Sequence, residues 1–149
     1  MASFDLNPLT LSGLALAGAN RRAEAADHLD DGVLTAGEVA SLDLTGVEWA
    51  VLSGCDTGRG DVLPGEGVLG FRRAFRLAGA RTVVITLWPV QDEIARDWVQ
   101  RLYAARTQGS STADAVRKAS LDILHARRES GESTHPFFWA AFVAEGDWR

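Results

Sequence analysis

Two short apolar runs separated by a helix-forming segment are the feature that most restricts how this chain can fold. Val47 to Ser53 and Thr82 to Leu87 are rich in β-branched and apolar side chains and are bounded by turn signals, a pattern typical of strands buried on both faces. The segment between them opens a helix at Pro64-Gly65-Glu66 and carries Gly79 where a glycine cap is favoured. Because a strand, a helix and a second strand follow in order, the sequence predicts a parallel βαβ unit.

The residues after the second strand predict two more helices and a last strand. The first helix, capped by Asp92, has apolar side chains on one face and a glycine past its end: Ile94, Trp98, Leu102 and Gly109. The second begins at Ser111 or Thr112 and has an apolar stripe: Val116, Ala119, Ile123 and Leu124. The run from Phe137 to Val143 predicts a last buried strand, and Leu11 to Ala17 predicts a weak first edge strand.

Composition favours one domain in a reducing compartment. With 149 residues, 46% of them hydrophobic, the chain is long enough for one continuous core and too short for two. A formal net charge of -5 argues against a nucleic-acid surface, which needs a basic stripe to neutralise phosphates. A single cysteine cannot form an internal disulfide, and no basic N-terminal segment precedes an apolar run. We therefore expect a cytoplasmic chain with no membrane span.

The single cysteine, Cys55, lies where the first core strand ends in a glycine-rich turn. In open parallel sheets, ligands bind beyond the carboxyl ends of the strands, so a thiol at this position faces a cleft. Most lone cysteines in cytosolic domains are small buried hydrophobes. Here Gly54 and Gly58 permit a sharp turn and close approach of a substrate, which favours a nucleophile whose own backbone N–H helps to stabilise an oxyanion.

Other motif-like segments give weaker predictions. The loop 58–67 lies between a strand and a helix as phosphate-binding loops do, but it lacks both the Gly-Lys-Ser/Thr ending and the G-x-G-x-x-G spacing. Asp27 to Glu38 has several spacings of a calcium loop, but Leu29 stands where a ligand is required, which favours a turn leading into a helix from Thr35 to Ala40. The three histidines show no ligand spacing with one another or with the cysteine. We expect neither a metal nor a cofactor.

Blocks along most of the chain carry a family resemblance. The most specific are residues 52–60, Leu-Ser-Gly-Cys-Asp-Thr-Gly-Arg-Gly, and residues 65–75. The others, in order, are residues 77–84, 87–93 and 135–142, with residues 12–17 and 31–35 less specific. In order and spacing these blocks resemble the CHAT domain, a caspase-like family of the caspase and separase clan.

This resemblance implies an α/β fold of the caspase-like type, a three-layer sandwich with a mostly parallel central sheet. Cys55 matches the nucleophile with which the family hydrolyses peptide bonds. Its family partner is the histidine of a His-Gly pair, in a block expected upstream of Ser3-Phe4-Asp5 and absent here. A caspase-like spacing of about 50 residues before the cysteine falls within the first few residues, where no histidine stands. We therefore expect a domain that is incomplete at its N-terminus.

The remaining histidines do not take over the role of general base. His28 is too close to the cysteine in sequence, and His135 matches a different block of the family. Without an imidazole partner, only a small fraction of an ordinary thiol is thiolate at neutral pH. We expect the isolated chain to be inactive or nearly so.

The sequence gives candidate residues for a substrate pocket but no specific substrate preference. Metacaspase-type enzymes carry an acidic residue two positions before the nucleophile, where Ser53 stands here, so cleavage after Arg or Lys is not supported by that route. The candidate pocket residues are Ser53, Gly54, Asp56, Asp61, Trp88, Pro89 and Asp92. Trp88-Pro89, just past the second core strand, is a candidate wall of that pocket.

Two functions remain open on sequence alone. The first is a CHAT-type cysteine endopeptidase acting on a protein or peptide substrate. The second is a non-catalytic caspase-like interaction or regulatory module, a pseudoenzyme. If an upstream strand is absent from the sheet, its exposed edge invites self-association. Family members are often fused to helical repeat domains, so a helical-repeat regulatory partner is a further expectation.

Overall fold

The computed structural model describes residues 13–24, 31–52 and 66–149 of the chain. These residues form α/β structure, as the sequence predicted, and they divide into two compact units. The first unit holds the described residues up to Val47 together with residues 66–80. The second unit holds residues 48–52 and 81–149. Each unit has its own sheet and its own hydrophobic cluster.

The first unit combines a small antiparallel ribbon with two helices. Its elements are β1 (Gly13–Ala15), β2 (Val33–Thr35), α1 (Ala36–Ala40) and α2 (Glu66–Leu77). β1 pairs antiparallel with β2, with Gly13 opposite Thr35, so the weak first strand of the sequence has a partner that the sequence did not reveal. The small core contains Ala36, Val39, Phe71 and Ala74.

Helix α1 begins at Ala36 and is capped by Thr35, the residue at which the sequence placed the start of the helix. The Thr35 hydroxyl accepts the backbone N–H of Glu38 at 3.2 Å, and the Glu38 carboxylate accepts the backbone N–H of Thr35. This reciprocal pair is a capping box, which satisfies two backbone donors at the start of the helix. Such a device matters here because α1 has only five residues and little internal hydrogen bonding of its own.

The acidic side chains of the calcium-like segment are used within the fold where the structure describes them. Asp31 is only 4% exposed. One of its carboxylate oxygens lies 2.7 Å from Nε of Arg22, and the other accepts the backbone N–H of Val33 at 2.8 Å. Glu38 belongs to the capping box, while Asp27 lies outside the described residues. From Asp31 the chain enters α1 through the strand β2, so the predicted helix is present but a strand, not a turn, directly precedes it.

Helix α2 ends in a Schellman motif at the predicted glycine. Gly79 adopts a φ of +109°, a left-handed conformation that side chains disfavour. Its N–H donates to the carbonyl of Arg76, and the Ala80 N–H donates to the carbonyl of Phe75, both at 3.1 Å. A Cβ at this position would lie 3.1 Å from the backbone nitrogen of Thr45, so the close packing also favours glycine.

The second unit contains a three-stranded sheet and two long helices. Its elements are β3 (Trp49–Leu52), β4 (Thr82–Thr86), α3 (Asp92–Thr107), α4 (Thr112–Glu129) and β5 (Phe142–Gly146). β3 pairs parallel with β4, which confirms the predicted strand direction. β5 lies on the other side of β4 and runs antiparallel to it, so the sheet of the described residues is mixed and β4 is central. All five residues of β4 are buried, as expected for a strand covered on both faces.

The helices of this unit carry the predicted apolar faces. Trp98 and Leu102 of α3 are fully buried, as are Ala115 and Ala119 of α4. The Trp98 ring stacks on Phe142 with centroids 4.0 Å apart, joining helix to sheet.

The N-cap of α4 is the predicted residue, whereas the N-cap of α3 differs from the prediction by one position. α4 begins after Ser111, whose hydroxyl accepts the backbone N–H of Asp114 at 3.1 Å. The cap of α3 is Gln91 rather than the predicted Asp92, which is the first helical residue. A carboxylate in the first turn still favours the helix through its dipole.

The last strand begins at Phe142, and the prediction that it starts at Phe137 is wrong. Pro136–Phe138 instead form a turn of 3₁₀ helix, with proline at its start. Nδ1 of His135 accepts the backbone N–H of Phe137 at 3.2 Å and closes this turn. A continuous apolar run does not by itself distinguish a strand from a turn whose aromatic side chains pack together, so hydrophobicity alone misplaced the boundary.

Candidate active site

The parallel pairing of β3 and β4 defines the edge of the sheet at which the candidate site lies. Leu52, the last residue of β3, is opposite Ile85 of β4. Because both strands run the same way, the chain leaves them at the same edge, which is where α/β folds place ligands. Cys55 follows Leu52 by three residues along the chain, and Trp88 follows β4.

The structure describes some of the predicted site residues and not others. Ser53, Gly54, Cys55, Asp56 and Asp61 lie outside the described residues. The described candidates are Trp88, Pro89 and Asp92. Pro89 is exposed in the connection after β4, and Asp92 is exposed at the start of α3.

Trp88 is held in place by the turn that precedes β5. Its indole N–H donates to the backbone carbonyl of Phe137 at 3.1 Å. The two rings are nearly parallel, 15° apart with centroids 6.3 Å apart. Phe138 meets Phe137 edge-on at 5.4 Å, and the Arg127 guanidinium lies 4.1 Å from the Phe138 ring centroid. Aromatic side chains from two separate segments therefore meet beside the end of β4.

An exposed apolar surface results from this arrangement. Leu87 is 53% exposed and Phe137 is 42% exposed, with the half-buried Trp88 ring stacked against Phe137. We call these three residues the Trp88 surface. Sequence analysis found Trp88 but missed Phe137, which it assigned to a buried strand. The His-Pro pair before Phe137 was the available signal, since proline fits the start of a helical turn.

Two of the three histidines, His125 and His135, lie among the described residues. His125 is exposed on α4. His135 is also exposed, and its Nδ1 lone pair accepts the N–H of Phe137. An imidazole that accepts at Nδ1 carries its proton on Nε2, so it has no second lone pair with which to take a proton from sulfur. His28 lies outside the described residues.

The start of β4, at the other end of the sheet, is filled by polar contacts. The Trp49 indole N–H donates to the Thr112 hydroxyl at 3.1 Å, and Arg106 forms an ion pair with Glu48. A cavity of about 210 Å³ beside them is lined by charged and hydroxyl side chains: Glu48, Arg81, Thr82, Arg106, Thr112, Asp147 and Arg149. Two of the charged groups there, Arg106 and Glu48, pair with each other, whereas the opposite end of the sheet presents apolar rings.

Residues 13–24, 31–52 and 66–149 contain neither a metal-binding cluster nor a membrane-spanning helix. No group of three or more histidine, cysteine or acidic side chains in those ranges is arranged to hold a metal ion. None of the helices that the structure describes combines the length and hydropathy needed to cross a membrane.

Comparison with known proteins identifies the class to which this chain belongs. The family model of the CHAT domain matches residues 2–147, so the chain belongs to the CHAT domain family. Among curated proteins it is similar to tetratricopeptide repeat protein 28 of Homo sapiens, with 30% identity over 118 residues, 79% of this chain. The protein of the same name in Mus musculus is 30% identical over 114 residues, 76% of this chain. The chain spans 4% of the length of each of these relatives.

Proposed function

We propose that this chain provides a CHAT-type cysteine endopeptidase domain in which Cys55 is the nucleophile for peptide-bond hydrolysis. The parallel pairing of β3 with β4 carries the proposal, because it sets the strand leading to Cys55 beside the strand leading to Trp88. Family membership over residues 2–147 supports it. We further propose that both units belong to one caspase-like three-layer domain with a mostly parallel sheet, acting in the cytoplasm, where a thiol stays reduced.

The chemistry of the proposed reaction follows from a thiolate at the end of a strand. The sulfur attacks the scissile carbonyl carbon, an S–C bond forms, and the carbonyl electron pair moves to oxygen. Backbone N–H groups near Cys55 stabilise that oxyanion. The C–N bond then breaks as the leaving amine takes a proton from a general acid, and water hydrolyses the thioester in a second step.

The proton-transfer group that we propose is the imidazole of the family's histidine rather than that of His125 or His135. His135 has its Nδ1 lone pair engaged by the Phe137 N–H, and His125 is exposed on α4. The family's base belongs to a His-Gly pair, and these 149 residues contain no such pair. The chain as printed is therefore expected to react slowly until an imidazole is supplied.

Chemical rescue with free imidazole tests the proposed function. The 149-residue chain is given a peptide p-nitrophenyl ester, whose leaving group needs no protonation, over a series of imidazole concentrations. We expect hydrolysis to rise with imidazole more steeply for the wild type than for Cys55→Ala, since the variant reports the uncatalysed reaction with imidazole. His135→Ala should follow the wild type. If hydrolysis rises with imidazole equally in the wild type and in Cys55→Ala, the result contradicts the peptidase proposal.

A non-catalytic interaction module is the second candidate function. The contact of His135 supports it, because the Nδ1 lone pair of that histidine accepts the N–H of Phe137. The pH dependence of Cys55 alkylation by iodoacetamide separates the candidates, with Cys55→Ala as the blank. Alkylation that becomes fast well below the pH expected for a free thiol indicates an activated nucleophile and supports the peptidase. A pH dependence of alkylation like that of a free thiol, together with ester hydrolysis that imidazole does not rescue, supports the interaction module.

The proposed partners follow from the sheet edge and from the relatives. Among the described residues β3 pairs only with β4, and a strand with one neighbour offers backbone hydrogen bonds to another chain. We propose that a second copy pairs there, and sedimentation showing a folded monomer at high concentration would count against it. The names of the two relatives contain the tetratricopeptide repeat, and we propose a helical-repeat segment as a regulatory partner.

A further inference from the structure

We propose that His135 makes the aromatic contact beside β4 sensitive to pH. When its imidazole gains a proton, the turn Pro136–Phe138 loosens and the hydrogen bond from Trp88 to Phe137 weakens. This inference goes beyond the proposed peptidase function and does not depend on it, because it uses only contacts among residues that the structure describes. It adds a regulatory property to the end of β4, where Trp88 follows the strand.

The imidazole of His135 is the hydrogen-bond acceptor that closes this turn. Its Nδ1 accepts the backbone N–H of Phe137 at 3.2 Å, so the neutral ring carries its proton on Nε2. A second proton can therefore be added only at Nδ1. The imidazolium has an N–H at both nitrogens and no lone pair with which to accept from Phe137. Histidine is the side chain that gains such a proton between roughly pH 8 and pH 5.

The surroundings of His135 give the proton access to the ring. The side chain is exposed, so proton binding needs no opening of the fold. Two charged side chains lie on the segments around it: Arg127 of α4, whose Nε donates to the Ser133 carbonyl at 2.6 Å, and Glu132, which forms an ion pair with Arg127 at 2.8 Å. Their charges have opposite sign and pair with each other, so together they place little net charge beside the turn.

The backbone of Phe137 connects His135 to Trp88. Its N–H is bound by His135, and its carbonyl accepts the indole N–H of Trp88 at 3.1 Å. The rings of Phe137 and Trp88 also lie nearly parallel, with centroids 6.3 Å apart. Any rotation of the Phe137 backbone after its N–H loses the acceptor therefore moves both the carbonyl and the ring that Trp88 contacts.

Other hydrogen bonds limit the change to local loosening. The N–H of Phe138 donates to the carbonyl of His135 at 3.1 Å, and the N–H of Ala140 donates to the carbonyl of Pro136 at 2.9 Å. Neither bond uses the imidazole, so both persist when the ring is protonated. We expect the turn to open more often at low pH while the sheet and the helices stay folded.

NMR spectroscopy of the ¹⁵N-labelled 149-residue chain at about pH 8 and about pH 5 tests this inference. Nitrogen shifts of the His135 ring report which nitrogen carries the proton. Hydrogen exchange is measured at the Phe137 amide and at the Trp88 indole, and each rate is divided by the rate of an unstructured peptide at the same pH. We expect protection of the Phe137 amide to fall about fivefold at the lower pH, the size expected for one hydrogen bond. Protection of the Trp88 indole should fall in parallel.

His135→Asn is the decisive variant. The asparagine side-chain oxygen can accept the same N–H two residues on, and it does not titrate. This variant should keep the protection of the wild type at high pH and show no fall at low pH, whereas His135→Ala should have low protection at both. His125→Asn is the matched control, because it removes another exposed histidine, on α4, and should retain the pH response of the wild type.

Three results would overturn the inference. The first is equal protection of the Phe137 amide at both pH values in the wild type. The second is a pH response that persists in His135→Asn. The third is a fall in protection at Phe137 with an unchanged Trp88 indole, since the two groups would then not be connected. Ester hydrolysis rescued by imidazole is a separate measurement, so failure of the peptidase proposal and failure of this one are distinguishable.

Discussion

The two units are stabilised in different ways. The second unit has a large core in which Trp98 of α3 stacks on Phe142 of β5 at 4.0 Å, beside the fully buried Leu102. The Trp98 indole N–H donates to the hydroxyl of Ser120, so the largest core side chain leaves no polar atom unpaired. Burial of large side chains dominates there, and the candidate active site lies at the end of the sheet that this core supports.

The first unit depends more on local backbone devices. Among the residues that the structure describes, its core cluster contains one phenylalanine, one valine and two alanines, with partly buried apolar neighbours around them. The capping box at Thr35, the glycine at Gly79 and the buried Asp31 each fix a turn that so small a core constrains weakly. Side-chain packing can therefore fix the unit with two long helices, whereas the short described elements β1, β2 and α1 need specific turn chemistry.

The largest expected effect is the loss of the Trp98 ring. Trp98→Ala should lower the free energy of unfolding by about 3–5 kcal/mol, because it removes a buried aromatic side chain and leaves a cavity against Phe142. Ser120 also loses the donor that its hydroxyl accepts. Urea denaturation followed by circular dichroism measures the change.

Phe71→Ala is the matched change in the first unit. Phe71 is also almost fully buried, but its core contains fewer large partners. We expect a cost of about 3 kcal/mol, at the low end for this kind of truncation. A cost for Phe71→Ala above that of Trp98→Ala would break the comparison between the two cores.

Substitution of one glycine in each unit tests whether their backbones differ as their cores do. Gly79 and Gly109 both follow a helix with positive φ, at +109° and +87°. A Cβ at Gly79 would lie 3.1 Å from Thr45 N and 3.3 Å from Leu44 C, whereas at Gly109 it would meet no atom within 4 Å. Gly109→Ala should cost about 1 kcal/mol through conformational strain alone, and Gly79→Ala about 2 kcal/mol or more. Thermal unfolding measures both, and equal costs would show that packing at Gly79 adds nothing.

Cap substitutions have a smaller expected effect. Thr35→Ala removes the hydroxyl of the capping box, and Ser111→Ala removes the corresponding hydroxyl from the start of α4. Each should lower the free energy of unfolding by about 1 kcal/mol. Hydrogen exchange should show the loss spread along the eighteen residues of α4 but confined to α1 and its neighbours in the first unit. The same protection loss across the second unit in both variants would contradict this difference.

The smallest effect is a pH dependence in the loop after α1. Hydrogen bonds from the Thr45 side chain and backbone N–H lower the pKa of Asp43 below its ordinary value of 3.8. A lowered folded-state pKa stabilises the fold above the unfolded value, and that contribution is lost as pH falls through the folded pKa. Thr45→Ala should therefore raise the Asp43 pKa towards 3.8, because the side-chain hydrogen bond is the larger cause. NMR titration of the Asp43 carboxyl carbon measures it, with no shift as the contrary result.

Local signals in the sequence predicted much of the second unit. Ser111 and Gly109 mark helix ends through their own hydrogen bonds and φ angles, so they were readable without knowledge of the tertiary structure. Strand β2 and the start of β5 could not be predicted from local sequence, because a short strand is defined by pairing with a partner that lies far away in the sequence.

The candidate site was predictable only in part for the same reason. Trp88 was visible as the residue that follows a core strand. Its contact with Phe137 joins segments about fifty residues apart, as the separation of 49 positions between the bonded groups shows. No local pattern encodes that pairing, and the predicted nucleophile at Cys55 rests on sequence and family membership, since it lies outside the described residues.

The position of β5 beside β4 has a consequence for the order of folding. Pairing Thr82 with Gly146 closes a loop that contains both long helices. Closing so long a loop costs conformational entropy before the strand pairing contributes any stabilising free energy. By contrast, α3 and α4 are neighbours in sequence and can pack early. We expect the helical hairpin to form first and to shorten the effective loop, so that β5 joins the sheet late. The hydrogen bond from the Trp88 indole to the Phe137 carbonyl forms only when this last segment packs against β4. The aromatic surface is therefore one of the final features of the chain to form.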